Sequence, residues 1–198
     1  MKKISIDIDN CIANTFKAGM DVCMSSEVIN KAGVRIGHDY KFRTDKMNHL
    51  LGVSSDVTTD LWPALFDSEY NIDMIDGAST SISSIIEAGY EVTLTTARPS
   101  SVHMQTTAWL EKNNIQYDRL VHRPGGSKYD YNNEDFSIYI EDNISEYDCI
   151  LSSSRYKSGD RAMLMLFDYD WSKTLNVAGN FTIVSGWTEI LENVLSAS

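Results

Sequence analysis

Proline and cysteine are scarce in this chain of 198 residues, each occurring three times. With no proline-rich, glycine-rich or repetitive tract, collagen-like, low-complexity and linker-type chains are excluded. Cys11, Cys23 and Cys149 are odd in number and lack metal-type spacing, so reduced thiols are expected, with no functional role and no place in a metal site. No run approaches the about 18 apolar residues of a membrane span, and Met1-Lys2-Lys3-Ile4-Ser5 leads into a strand pattern instead of a signal-peptide apolar region. A cytoplasmic location is therefore expected. Positive charge is also short: 17 Lys and Arg face 28 Asp and Glu, for a net charge of -11. Such a field repels long nucleic acids. A small phosphorylated ligand remains compatible with it if a metal ion and a few local cationic side chains outweigh the distant, screened charge.

What is present is ordinary globular material, 42% hydrophobic and 23% charged, enough for one domain with a modest insertion and a core that needs no staples. Lys3 to Ile8 reads as a β-branched strand running into the acidic turn Asp9-Asn10-Cys11. From Asn14 the period changes: Phe16, Met20, Met24 and Val28 form a helical stripe that stops near Gly33. Met47, Leu50 and Leu51 suit a short helix, and Val57, Leu61 and Leu65 another that Pro63 kinks or divides. Residues 14–75 thus read as a helical insertion. Beyond it, helix and strand alternate: a helix from Ala78 to Ala88 ending at Gly89, a strand from Glu91 to Thr96, and a helix from Ser100 to Asn113 burying Val102, Trp109 and Leu110. Strands follow at Leu120-Val121, Phe136 to Ile140, Met163 to Phe167 and Phe181 to Val184, with a closing helix from Trp187 to Leu195. This alternation implies an α/β doubly wound parallel sheet, whose ligands bind beyond the carboxyl ends of the strands.

Four of those ends carry polar chemistry. The first strand ends in Asp7-Ile8-Asp9, and strand alternation puts both carboxylates on one side. One can attack phosphorus and hold a metal, while the other exchanges a proton with the leaving oxygen and then with water. The second ends in Leu94-Thr95-Thr96-Ala97-Arg98, offering hydroxyls and free amides to a phosphate. Gly125-Gly126-Ser127-Lys128 sets a lysine after a flexible turn, and Ser137 to Ile140 runs into Glu141-Asp142. Taken singly these are an acidic turn, β-forming threonines and a surface lysine. Two clusters of hard oxygen donors, however, favour Mg²⁺ over zinc.

In this order, DIDN, TTAR, Lys128 and Glu141-Asp142 resemble the four motifs of the haloacid dehalogenase-like (HAD) phosphatase superfamily over nearly the whole chain. The resemblance implies a HAD-like Rossmannoid core of residues 1–13 and 76–198, with a small helical cap, 14–75, inserted after the first strand. It implies that Asp7 is the nucleophile, Asp9 the general acid/base, and Thr96, with Thr95 as its register alternative, and Lys128 the phosphate holders. It also implies Mg²⁺ on Asp7, the Asp9 carbonyl, Asp142 directly and Glu141 through water. Asn10-Cys11 departs from the Gly-Thr or Gly-Val common in the family, but Asn tolerates a left-handed turn. The segments Ile75 to Pro99 and Leu166 to Trp171 are most similar to the cytosolic 5'(3')-deoxyribonucleotidase group. That similarity implies a nucleoside monophosphate substrate, bound by Ala97 and Arg98 near the phosphate and stacked on Phe16, Trp62 and Phe66. Phe16 also lies on the apolar stripe, where it would serve the cap's core.

The expected activity is therefore Mg²⁺-dependent phosphomonoester hydrolysis through a phosphoaspartate. One alternative substrate is a sugar phosphate or another small phosphomonoester. An alternative of another class is a phosphorylation-switched receiver-type module, which fits poorly because receivers lack an insertion after the first strand and phosphorylate an Asp on a later one. The sequence leaves monomer and homodimer equally open.

Overall fold

The computed structural model describes residues 2–18, 72–123, 136–152, 162–168 and 181–197. Six strands form one sheet in the order β3-β2-β1-β4-β5-β6, with every pairing parallel. They are β1 Lys3–Asp7, β2 Glu91–Thr96, β3 Arg119–His122, β4 Ile138–Glu141, β5 Met163–Phe167 and β6 Phe181–Val184. The helices are α1 Ala78–Glu87, α2 His103–Lys112 after a 3-10 turn at Ser100–Val102, α3 Ile144–Ser152 and α4 Trp187–Ser196. This is the expected doubly wound parallel sheet.

Parallel strands are buried on both faces, and the strand sequences show how. In β4, Ile138 and Ile140 join a core containing Ile4, Ile6, Val92 and Leu94 of the neighbouring strands, with Ile82 and Ile85 of α1 and Ile190 and Val194 of α4. Tyr139, between those two isoleucines, points into a second core with Ile144, Tyr147 and Ile150 of α3 and Leu164 and Leu166 of β5. The alternation along one strand therefore reports helices on opposite faces. Ser5 is buried between the two β1 isoleucines, and its hydroxyl is satisfied by Thr95 Oγ1 at 2.9 Å.

Glycine is required where α1 begins. Gly77 has φ 81°, and a Cβ there would lie 3.3 Å from Trp187 Cβ at the start of α4. That close approach fixes α1 against α4. The helix ends at Gly89, φ 89°, as the sequence implies.

Two expectations need correction. The stretch from Ser100 to Asn113 opens as a 3-10 turn, and Val102 and Trp109 are only half-buried, with the Trp109 indole packed against the core and donating to the Ile72 carbonyl at 2.8 Å. Helix α3 was not expected at all. Its apolar residues, Ile144, Tyr147 and Ile150, recur every three positions among acidic and polar neighbours, which dilutes the periodic signal.

Of the segment 14–75, only its two ends are described. They run together: Ala13 bridges Met74 antiparallel, Asn14 donates to the Asp73 carbonyl at 2.8 Å, and Ile75 donates to the Ile12 carbonyl at 2.7 Å. The stripe beyond Ala18, the helices expected around Met47 and Leu61, and Trp62 and Phe66 lie outside the described residues. So does Lys128.

Candidate active site

Strand β1 lies between β2 and β4: the chain runs outward from β1 through β2 to β3, then crosses to β4 on the other side of β1 and continues outward. That switch point is where an open α/β sheet forms a crevice beyond its strand ends. Asp7 is the last residue of β1, and Asp142 lies one residue beyond the end of the adjacent β4. Strands in a sheet are about 4.8 Å apart, so side chains at neighbouring tips meet.

The chain then turns sharply. Asn10 takes φ 63°, the left-handed conformation expected for it, while Ile12 and Ala13 both donate to the Ile8 carbonyl at 2.9 Å. Because the strand stops at Asp7, alternation no longer governs Asp9, and the two aspartates part company. Asp7 joins Asp142, and Asp9 moves toward β2.

The turn brings back Cys11 as well. Ligand atoms of Asp7, Cys11 and Asp142 all lie within 4.8 Å of one another, and all three residues are buried. The expectation that no cysteine would stand near the acids is thus corrected: a tight turn returns the fourth residue after Asp7 to the same spot. Asn10 braces the group, donating from Nδ2 to Asp142 Oδ2 at 3.0 Å and accepting from the Phe16 amide at 2.8 Å. Glu141 is fully buried but outside this group, close enough to Tyr147 to act on its ionisation. Tyr147, on α3, donates its hydroxyl to the Met165 carbonyl. Burial, and then the negative charge of Glu141, Cys11 and Asp142, raise its pKa well above the usual value, so the hydroxyl stays neutral.

Two carboxylates about 4 Å apart repel by about 4 kcal/mol at an effective dielectric of 20. A cation between them would offset that repulsion, and paired carboxylate oxygens with room for water suit a hard divalent ion such as Mg²⁺. The donor set of Asp7 and Asp142 fits such an ion, with Cys11 as a soft neighbour that magnesium would not prefer.

The β2 side is built differently. Arg98 Nε lies 3.1 and 3.0 Å from the two Asp9 carboxylate oxygens, and its Nη2 lies 2.7 Å from Oδ1. Thr15 donates to Asp9 Oδ1 at 2.5 Å and Thr96 donates to Oδ2 at 3.3 Å.

Comparison by sequence finds no matching family model and no matching curated protein. Comparison by structure finds many similar chains. A haloacid dehalogenase-like hydrolase from Xanthomonas campestris superposes with a TM-score of 0.64 at 12% identity, over 99% of this chain and 95% of its own. YfnB from Bacillus subtilis, a putative HAD-hydrolase bound to magnesium, gives 0.59 at 12% identity, covering 98% of each chain. CbbY from Rhodobacter sphaeroides, in complex with phosphate, gives 0.56 at 13% identity, covering 96% of each chain.

The fold is HAD-like.

Within this HAD-like sheet, the expected residues take distinct places. Asp7 and Asp142 come together, while Asp9 and Thr96 form a second group with Arg98. Thr95 points into the protein, its hydroxyl on Ser5, and Ala97 is exposed at the β2 tip. Phe16 is half-buried at the start of a helical turn over residues 15–18. Sequence reasoning did not pick out Asn10, Cys11, Thr15 or Tyr147 as part of the site. The left-handed Asn was the available signal for Cys11, since a tight turn at that position returns the next residues toward Asp7. An open cavity of about 1180 Å³ lies beside the ends of segment 14–75, lined by Asn14, Lys17, Asp73, Trp187 and Glu189, but neither Asp7 nor Asp142 lines it. Among the described residues, no helix is long and apolar enough to cross a membrane.

Proposed function

We propose that the protein is a Mg²⁺-dependent phosphomonoester hydrolase that forms a phosphoaspartate on Asp7, and that its substrate is a nucleoside monophosphate. The observation that carries the reading is the meeting of Asp7 and Asp142 at the tips of adjacent strands, at the switch point of a HAD-like sheet. Fold alone does not determine function, whereas two carboxylates meeting at the tips of adjacent strands suit a specific chemistry.

A bound Mg²⁺, held by Asp7, Asp142 and the Asp9 main-chain carbonyl with Glu141 acting through water, would supply charge that offsets repulsion between the carboxylates and the phosphate dianion. The protein's own groups do the rest. An Asp7 oxygen attacks phosphorus, and the phosphorus bond to the ester oxygen breaks as Asp9 gives that oxygen a proton. Asp9 then takes a proton from water, whose oxygen attacks the same phosphorus and frees Asp7 and inorganic phosphate. Thr96 and Lys128 hold the transferring group. Residues 14–75 form a cap over the site, with Phe16, Trp62 and Phe66 facing the base.

The nucleotide assignment is supported by the similarity of residues 75–99 and 166–171 to the deoxyribonucleotidase group. A sugar phosphate is the second reading, because CbbY, which shares the fold, has been crystallised with xylulose-1,5-bisphosphate. Mg²⁺-dependent phosphate release, measured across deoxy- and ribonucleoside monophosphates beside several sugar phosphates, separates the two. Preference for a nucleotide supports the reading, and preference for a sugar phosphate replaces it. No release from any ester removes it.

A further inference from the structure

Arg98 stands two residues past β2, where a cation could face a substrate phosphate, yet it is only 4% exposed. Its main chain is fixed on both sides. The amide donates to Thr96 Oγ1 at 3.1 Å, and the carbonyl accepts from His122 Nδ1 at 3.0 Å. His122 is in turn held by His103, Nε2 to Nδ1, at 3.1 Å. The guanidinium is turned inward, with Nε and Nη2 on Asp9 and Nη1 3.4 Å from the buried Thr106 hydroxyl of α2. Its side chain is 2% exposed, while that of Asp9 is 19% exposed.

A planar guanidinium that meets a carboxylate through two N–H groups fixes both its position and its rotation. Thr15 and Thr96 add a donor to each oxygen of the same carboxylate, so Asp9 is held from three directions. Asp9 remains the more exposed partner, and Arg98 lies behind it. A phosphate could reach this guanidinium only by displacing Asp9.

The geometry points to Arg98 as a positioning residue for Asp9 and not as a phosphate ligand: it sets the angle at which the Asp9 carboxyl meets the leaving oxygen. This rests on the phosphatase reading above, with Asp9 as proton donor. Misplacing a catalytic group by about 1 Å costs about 10²-fold in rate. In the first half of the reaction, breakage of the ester bond, the loss should fall where the leaving oxygen needs a proton. A nucleoside monophosphate expels an alkoxide that must be protonated, whereas p-nitrophenyl phosphate expels a stable phenolate that need not be.

The test measures the single-turnover rate of leaving-group release, together with kcat and KM, for both esters in wild type, Asp9→Asn, Arg98→Met and the Asp9→Asn/Arg98→Met double variant. Arg98→Lys serves as a second variant, because it keeps a positive charge beside Asp9 but lacks the two-pronged geometry. The expected result is that Arg98→Met lowers single-turnover release of the nucleoside by about 10²-fold, with KM little changed and single-turnover release of p-nitrophenol nearly retained. Arg98→Lys should show the same selectivity to a smaller degree. On the nucleotide, the double variant should be no slower than Asp9→Asn alone. Equal losses in the single-turnover rate on both esters would mean a structural role and overturn the proposal. A raised KM with unchanged kcat would make Arg98 a substrate ligand and also overturn it. The underlying reading fails separately, if wild type releases phosphate from neither ester or if Asp9→Asn shows no dependence on the leaving group.

Discussion

On the β4 side of the β1 tip, two buried carboxylates and a thiol crowd within 4.8 Å of one another. On the β2 side, one carboxylate lies against a buried guanidinium and two threonine hydroxyls. The first arrangement gathers negative charge that a cation from outside would offset. The second is neutralised by the chain itself. Asp7 and Asp9 are only two residues apart, and they part because β1 stops at Asp7, which leaves one carboxylate beside Asp142 and the other against Arg98.

Variants that convert one half without touching the other break the comparison most sharply. Asp7→Asn should abolish Mg²⁺-dependent phosphate release, a loss of about 10⁴-fold or more, while circular dichroism remains that of the folded protein. Asp9→Asn should slow kcat on an alkyl phosphate by roughly 10² to 10⁴ without loss of metal binding. If both variants lost metal affinity equally, the two halves would be one site.

Smaller effects sharpen the division. Tyr147→Phe leaves the Met165 carbonyl without its buried donor and should cost about 1–3 kcal/mol in a urea melt. Tyr147 has a folded pKa raised above its ordinary value of 10.0. The neutral phenol is therefore favoured by folding, so its contribution is complete below pH 10 and declines as pH rises, when only the unfolded chain gives up the proton. Wild type should consequently lose stability above pH 10 more steeply than Tyr147→Phe. The smallest effect is expected at the exposed start of α4. There Glu189 accepts from the Ser185 amide at 2.8 Å and its hydroxyl at 3.0 Å, which lowers its pKa from the ordinary 4.5. That contribution is present above pH 4.5 and fades below it, so thermal melts of Glu189→Gln and wild type should converge in acid.

The strands were legible because each is a short β-branched or apolar run that stops at a polar tip, as in Lys3–Asp7 and Glu91–Thr96. Helix α3 was not, since Ser, Glu and Asp interrupt its apolar rows. The acids at the tips could be read from sequence, and the family resemblance paired Asp7 with Asp142, but the pairing of Arg98 with Asp9 could not be read. That Asp142 would meet Asp7 depends on β4 lying beside β1, and that Arg98 would meet Asp9 depends on β2 lying on the other side. Strand order is a property of the whole chain. Cys11 was missed for a local reason: spacing alone does not show that a turn will fold it back beneath Asp7.

The most direct test of the shared-cation claim is calorimetric titration of Mg²⁺ into wild type, Asp7→Asn and Asp142→Asn. One site in wild type, weakened at least about tenfold by either substitution, is the predicted result. Unchanged Mg²⁺ affinity in both variants would contradict it.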